Sequence, residues 1–368
     1  MHISCDQKVL LDNINIVQKC VSARTTSPIL ECILLKADRE GFKLIANDLE
    51  QSIETSYIEG ADVYNIGDVA LDAKMFFDFV RSMKGRVDIE TDENFVTTLK
   101  SGRVKVTIAG LDGSEFPLPK QIENGSPISI KGKDLKSMIK QTIFSIAQVD
   151  YRPILTGELF EFVGQRFNMV AVDGHRIAYR TMLRENSDDF NGKIVVPGKA
   201  LNEVSRLVED EEDAELYFND KFIEFRLSSC KLTSRLFEGD YLEYGKMFTN
   251  DYKTKITVNR EFLMSCLERC LLLIAREVKK VEVILEITDG TIKISAQNST
   301  GDVYEDAEID FEGEEIKIGF SPRYLLDICR VVDEEELTMY FISSLSPCIV
   351  KSSIGNDDFK YLVLPVKI

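Results

Sequence analysis

The sequence holds only two histidines, no Cys-x-x-Cys pair, no glycine-rich phosphate loop and no long apolar run. Each shortage removes a class of function. A catalytic histidine needs a nucleophile or metal beside it, and neither His2 nor His175 stands in a motif that supplies one. Without a phosphate loop or a Ser–His–Asp spacing, an enzyme on a repeated α/β scaffold has no motif to stand on. The eight cysteines, at 5, 20, 32, 230, 266, 270, 329 and 348, are scattered. Cys266 and Cys270 share a helix face, but no second pair or nearby histidine completes a zinc set, so the cysteines are expected to be reduced packing residues. No metal or cofactor is expected. No apolar stretch approaches the ~20 residues that span a bilayer. Met1–Cys5 leads straight into a strand without a basic and then apolar leader, so a cytoplasmic protein is expected.

What is present in excess is negative charge. The net charge is −17, which by itself argues against nucleic acid. Its distribution argues otherwise. Residues 302–315 carry eight acids and no base, and residues 209–215 carry six acids and no base. The helical segments lean the other way. Lys131, Lys133, Lys136 and Lys140 outnumber Asp134, and Lys74, Arg81, Lys84 and Arg86 outnumber Asp78. Arg260, Arg269, Arg276, Lys279 and Lys280 outnumber Glu261, Glu268 and Glu277. Basic helices on an acidic chain would form one basic face.

A threefold repeat organises the chain. Ile128-Ser129-Ile130 alternates as a strand, and Leu135, Met138, Ile139, Ile143 and Ile146 then follow at helical spacing. The same frame occurs 125 residues earlier, where Ile3-Ser4-Cys5 leads to Val9, Leu10, Ile14, Val17 and Val21. It occurs 128 residues later, where Ile256-Thr257-Val258 leads to Leu263, Leu267, Leu271 and Ile274. Two further anchors agree. Leu44–Asp48, Met169–Asp173 and Ile294–Asn298 are spaced by 125 and 125, and the helix-opening Lys74, Lys199 and Arg323 by 125 and 124. Agreement across separate anchors identifies three copies of one domain, residues 1–125, 126–252 and 253–368.

Each copy predicts two helices and about eight strands. The helices are expected at 7–22 and 73–83, at 133–147 and 198–208, and at 260–275 and 322–332, the last capped by Ser321 with Pro322 in its first turn. The linkers are 111–127 and 239–255. The fold class is α+β, with helices on one side of antiparallel sheets. Three domains in an arc close into a ring when two arcs pair by two-fold symmetry. The apolar run 271–274 exceeds what one helix face needs, so part of it is expected to seek a partner surface.

Three stretches carry a family resemblance: Arg24-Thr25-Thr26-Ser27-Pro28-Ile29-Leu30, Ala171-Val172-Asp173-Gly174-His175-Arg176-Ile177-Ala178 and Tyr361-Leu362-Val363-Leu364-Pro365-Val366-Lys367-Ile368. Over its whole length the chain resembles the bacterial sliding clamps, the beta subunits of DNA polymerase III. The resemblance implies three clamp-type domains and a head-to-tail homodimer, a ring with helices lining the hole and sheets outside. It implies a non-catalytic processivity factor that encircles duplex DNA independently of sequence and tethers the replicative polymerase. Phosphate contact without base contact suits sliding.

The resemblance also implies sites. A hydrophobic pocket would receive short linear peptides from the polymerase, the clamp loader and repair proteins. Its matching positions begin with Leu155, Val172, Gly174, His175, Arg176 and Ile177. Leu242, Lys246, Met247, Tyr324 and Leu345 continue it, and Leu362, Leu364, Pro365, Val366 and Lys367 complete it. Apolar members would anchor the peptide, while Arg176 and Lys367 would meet its polar parts. Val172 and Leu242-Glu243-Tyr244 depart from the usual family residues and make the rim more apolar. On its own, Leu362–Val366 also reads as an ordinary buried last strand. For DNA, the matching or chosen positions are Arg24, Gln148, Tyr151 and Arg152 in loops, with Lys74, Arg103, Lys105, Lys199 and Arg206 on the lining. Ile108, Leu272 and Leu273 match the dimer seam. The alternative is a peptide-binding scaffold that does not encircle DNA.

Overall fold

The computed structural model describes residues 1–22, 25–122, 127–149, 152–184, 190–274, 282–353 and 358–368. Arg24, Tyr151 and the boundary at 125–126 lie outside these residues. The first copy contains β1 (His2–Asp6), α1 (Gln7–Val17), β2 (Cys32–Ala37), β3 (Phe42–Asn47), β4 (Gln51–Thr55) and β5 (Asp62–Asn65). It continues through β6 (Gly67–Asp72), α2 (Ala73–Ser82), β7 (Arg86–Thr91), β8 (Val96–Ser101), β9 (Val104–Ala109) and β10 (Leu111–Asp112). The second contains β11 (Ile128–Lys131), α3 (Gly132–Thr142), β12 (Gly157–Gly164), β13 (Arg166–Val172) and β14 (Arg176–Leu183). After these come β15 (Phe190–Pro197), α4 (Gly198–Leu207), β16 (Asp213–Phe218), β17 (Phe222–Arg226) and β18 (Cys230–Arg235). The third contains β19 (Thr254–Asn259), α5 (Arg260–Ile274), β20 (Val283–Thr288), β21 (Thr291–Asn298) and β22 (Gly301–Glu308). It ends with β23 (Asp310–Gly313), β24 (Ile316–Phe320), α6 (Pro322–Val331), β25 (Glu336–Phe341), β26 (Cys348–Ser352) and β27 (Phe359–Val363). All six predicted helices are present.

Local chemistry sets the helix ends. The Asp6 carboxylate accepts from Lys8 N at 2.9 Å and the Asp72 carboxylate from Met75 N at 2.7 Å, satisfying donors that an α-helix leaves open. Ser321 occupies the same position before α6, yet its hydroxyl makes no capping bond; Pro322 removes one open donor instead. The first helices of copies one and two are shorter than their apolar spacing suggested. Each tightens into a 3₁₀ turn, Gln18–Cys20 and Ile143–Ser145, that keeps its last apolar residues on the core side.

By contacts the chain forms two compact units, residues 1–136 with 199–236 and residues 137–198 with 237–368. The division cuts through the middle copy because sheets run across the copy boundaries. In the first unit β4 pairs with β18, completing the nine-stranded sheet β10-β6-β2-β3-β4-β18-β17-β16-β11. In the second, β14 pairs with β27, completing the nine-stranded sheet β15-β12-β13-β14-β27-β26-β25-β19-β23. Two smaller sheets remain: β5-β1-β7-β8-β9 in the first unit and β22-β21-β20-β24 in the second.

The cores are apolar. Helix α5 buries Leu263, Cys266, Leu267 and Cys270 against Ile256, Leu285, Ile294 and Leu325. All eight cysteines are buried with free thiols, and burial pushes thiols such as Cys5, Cys32 and Cys230 up to about 11, so they serve as packing groups. No helix among the described residues is long and apolar enough to cross a membrane.

Candidate functional site

The junction of β14 and β27 brings together part of the set expected around the pocket. Strand pairing sets Arg176 opposite Val363 and Ile177 opposite Leu362. Beyond β27 the ladder continues: Leu364 N donates to His175 O at 2.9 Å, and Val366 N donates to Gly319 O at 2.9 Å. Gly319 lets the last strand approach closely: a Cβ there would lie 3.0 Å from Ile368 Cγ1 and 3.2 Å from Val366 Cγ2, so these side chains would have to shift. Gly174 turns the chain at φ +87°, a conformation that favours glycine.

Leu155, Val172, Ile177 and Leu362 meet in one small apolar cluster with Leu159, Val170 and Val195. Half-buried Phe237, Tyr241 and Tyr244, from the linker after β18, lie against it. The Tyr241 hydroxyl donates to the Val170 carbonyl at 3.3 Å, pinning the linker to β13. Phe237 and Tyr241 are absent from the residues expected there; the signal for them in the sequence is the density of aromatics in a segment otherwise rich in polar residues. Among the expected pocket residues, Leu242, Met247, Leu345 and Leu364 are exposed, Leu345 by 79%. Large apolar side chains left in water are the kind of surface an apolar ligand would cover. Lys246 is exposed and paired with Glu243; Lys367 is exposed, and Pro365 is half-buried.

Arg176 behaves differently from its expected role. It is buried, and its guanidinium bonds Asp173 at 2.8 Å, Asp327 at 2.6 Å and the Phe144 carbonyl. It lies 4.5 Å from the Tyr324 ring centre, and the His175 ring stacks on Tyr324 at 6.0 Å. Its charge is committed inside the fold, so its work here is to hold together β14, the 3₁₀ turn after α3, and α6.

Glu158 on β12 is fully buried and accepts from Thr142 Oγ1 at 2.8 Å, while its other oxygen has no partner among the described residues. Burial pushes its carboxyl up to about 8, so the folded protein keeps a proton there at neutral pH. An unfolded glutamate releases that proton near 4.3. Stability is therefore full below that value and declines as pH rises toward 8, by at most roughly 5 kcal/mol. Glu158→Gln is expected to flatten the fall in Tm between pH 5 and 8 by scanning calorimetry; a variant that keeps the wild-type slope would exclude Glu158 as its source.

The helices carry the expected positive bias. Lys8, Lys74, Arg81, Lys133, Lys136, Lys140, Lys199, Arg206, Arg260, Arg269, Arg323 and Arg330 outnumber Asp12, Asp78, Asp134, Glu203, Glu261, Glu268 and Asp327, twelve to seven. The second helix of each copy repeats one motif: Lys74, Asp78, Arg81; Lys199, Glu203, Arg206; Arg323, Asp327, Arg330. Lys8, Lys74, Lys133 and Arg323 are exposed and make no ion pair among the described residues, whereas Lys199 pairs with Asp48 and Arg206 with Glu203 at 2.9 Å. Gln148 and Arg152 are exposed in the loops after α3. Arg103 and Lys105 lie on the β8–β9 hairpin and on β9, not on a helix. Ile108 sits on that edge strand with its side chain buried, while Leu272 on α5 is 72% exposed and Leu273 packs partly into the core.

Comparison with known proteins follows the same architecture. The family models described as the N-terminal, central and C-terminal domains of the DNA polymerase III beta subunit match residues 1–120, 129–243 and 246–367. The chain is 34% identical to the beta sliding clamp of Halalkalibacterium halodurans over all of both chains. Its structure is similar to that of a putative DNA polymerase III beta subunit from Eubacterium rectale, at 38% identity, TM-score 0.95 and full coverage of both chains. It is also similar to the DNA polymerase sliding clamp of Bacillus subtilis, at 30% identity and TM-score 0.96, covering all of this chain and 99% of that one.

Proposed function

The chain belongs to the DNA polymerase III beta subunit family and acts as a sliding clamp, and from that premise we propose how it does so. Two copies pair head to tail into a ring around duplex DNA. The part played is mechanical: the ring tethers the replicative polymerase, and its pocket takes up short peptide segments from the polymerase, the clamp loader and repair proteins.

One observation carries the ring. The repeat makes β4, β14 and β22 equivalent, and likewise β9, β18 and β27. Within the chain β4 pairs with β18 and β14 with β27, which among the described residues leaves β22 and β9 as free edges. The free edges are therefore the two halves of a joint the chain has already made twice. Joining a five-stranded to a four-stranded sheet gives nine strands, the size of both completed sheets. The register carries over. Cys230 faces Thr55 and Leu232 faces Ile53, and the equivalent pairs are Val104 with Glu305 and Val106 with Val303 of the second copy.

Charge selects the head-to-tail arrangement. Strand β22 bears Asp302, Glu305, Asp306 and Glu308, whereas β9 bears Lys105 beside Arg103. Two β22 edges would set acids against acids, while β22 on β9 sets acids near bases. Two such seams close a ring and leave no open edge. The basic helices then meet phosphates, and the acidic remainder repels DNA from the outside.

The test is the mass in solution together with retention on DNA. A dimer held on nicked circular DNA and released when the circle is cut supports the ring. A monomer, or binding indifferent to DNA ends, would favour a peptide-binding scaffold instead.

A further inference from the structure

The first unit contains a groove that the clamp function leaves unused. It runs under the linker at residues 117–122 as two adjoining hollows of about 270 and 420 Å³, which share Leu118, Lys120 and Thr233. The Asn47 side-chain amide donates to the Pro117 carbonyl at 2.8 Å and holds the linker over the sheet.

Three features of the groove point to a ligand. Gln51 is 4% exposed and lines the smaller hollow, and its Nε2 donates to no partner among the described residues. A buried donor without an acceptor is costly, and a bound carbonyl or carboxylate would satisfy it. Leu49 and Leu118, 60% and 52% exposed, line the same hollow, and Leu49 is held at φ +76°, a region that branched residues rarely occupy. The larger hollow is positive on a chain of net charge −17. Lys43 is tied to Glu54 and Arg226 to Glu224, while Lys36, Lys120 and Lys231 make no ion pair among the described residues.

The repeat adds a fourth. A shift of 125 carries Asn47, Leu49 and Gln51 onto Val172, Gly174 and Arg176, and Pro117 onto Leu242. Gln51 faces Ser234 across β4 and β18 as Arg176 faces Val363 across β14 and β27. The groove is thus the counterpart, at the first strand junction, of the pocket at the second. This equivalence rests on the peptide-pocket reading; the donor, the leucines and the lysines do not.

We propose that the groove is a second peptide-docking site, selective for an extended acidic segment of a partner protein. One apolar side chain seats between Leu49 and Leu118. A backbone carbonyl of the segment accepts from Gln51 Nε2, and its carboxylates lie over Lys36, Lys120 and Lys231.

The test uses the full chain and a short fluorescent peptide with one leucine flanked by aspartates and glutamates, read by anisotropy. The acidic peptide is expected to bind and its Asn/Gln counterpart to fail. Lys120→Glu combined with Lys231→Glu, both at exposed sites, should weaken binding at least tenfold, and Gln51→Leu several-fold. Neither change should alter retention on circular DNA. Undiminished binding by the double variant would overturn the proposal, as would complete displacement of the peptide by inorganic phosphate, which would mark a plain anion site. Met247→Asp separates the two readings: it strikes the pocket alone, so a peptide lost by Met247→Asp and kept by the groove variants binds the pocket, and the groove proposal fails. Retained binding in Met247→Asp with loss in the groove variants supports the groove whether or not the pocket reading stands.

Discussion

Leu272→Asp is expected to separate the dimer into monomers and abolish retention on circular DNA. Leu272 is 72% exposed in the protomer and contributes little to its core. The repeat says what should cover it. A shift of 128 carries α3 onto α5 and Phe144 onto Leu272. Phe144 packs across a joined sheet against Tyr361 on β27, ring centres 5.7 Å apart. The β9 residue equivalent to Tyr361 is Val106, since Val106 faces Leu99 as Leu232 faces Phe225. At a seam Leu272 would therefore rest on Val106 of the other copy. Burying a leucine is worth roughly 2 kcal/mol, and a buried unpaired carboxylate adds a further penalty. Two seams double the effect. At about 1.4 kcal/mol per tenfold, the dimer dissociation constant should rise by three orders of magnitude or so. Sedimentation equilibrium reads this directly, circular dichroism should show an unchanged protomer, and Leu272→Met should restore the dimer. A Leu272→Asp protein that stays dimeric would place the seam elsewhere.

The repeat was legible because both periodicities, two for strands and helical for helices, recur at nearly fixed offsets. What it hid was which strand edges meet. Ile108 shows the difference. Its place on an edge strand follows from the sequence, but alternation along β9 points its side chain into the core, so a seam on this strand would be made by the backbone edge. Arg176 shows a second limit. Asp327 lies 151 residues further along, and nothing local says that it will take up the guanidinium. A trace of it exists in the repeat, because Asp78 and Glu203 stand at the same helical position and bind their own Arg81 and Arg206 at 2.9 Å. In the third copy Asp327 has turned to Arg176, and Arg330 pairs with Glu268 at 3.1 Å instead.

Reversing Lys74, Lys133 and Arg323 together to glutamate is expected to remove most of the affinity for duplex DNA and leave the dimer intact. These residues occupy the first turn of their helices, where the helix dipole disfavours a cation. Helices α2, α4 and α6 have no acid in that turn at all, although one would stabilise them by about 0.3–1 kcal/mol. Lys199 on α4 is held by Asp48, whereas Lys74 and Arg323 have no ion pair among the described residues, so at those two places a phosphate is expected to offset the cost. None of Lys74, Lys133 and Arg323 has an ion-pair partner among the described residues, so their loss should not disturb folding. A dimer presents six such sites. Each phosphate contact contributes a slope of about −0.9 in log affinity against log salt, so the slope should fall by as much as roughly 5. Anisotropy with a labelled duplex across a salt series measures it. A reversal at Lys105, on the β9 edge, should act on the seam instead and weaken the dimer first. An unchanged salt slope in the triple variant would mean that the helices do not face DNA. Clamps already closed on a circle should still be retained by the triple variant, since a ring holds by topology. That outcome separates loss of phosphate contact from loss of the ring.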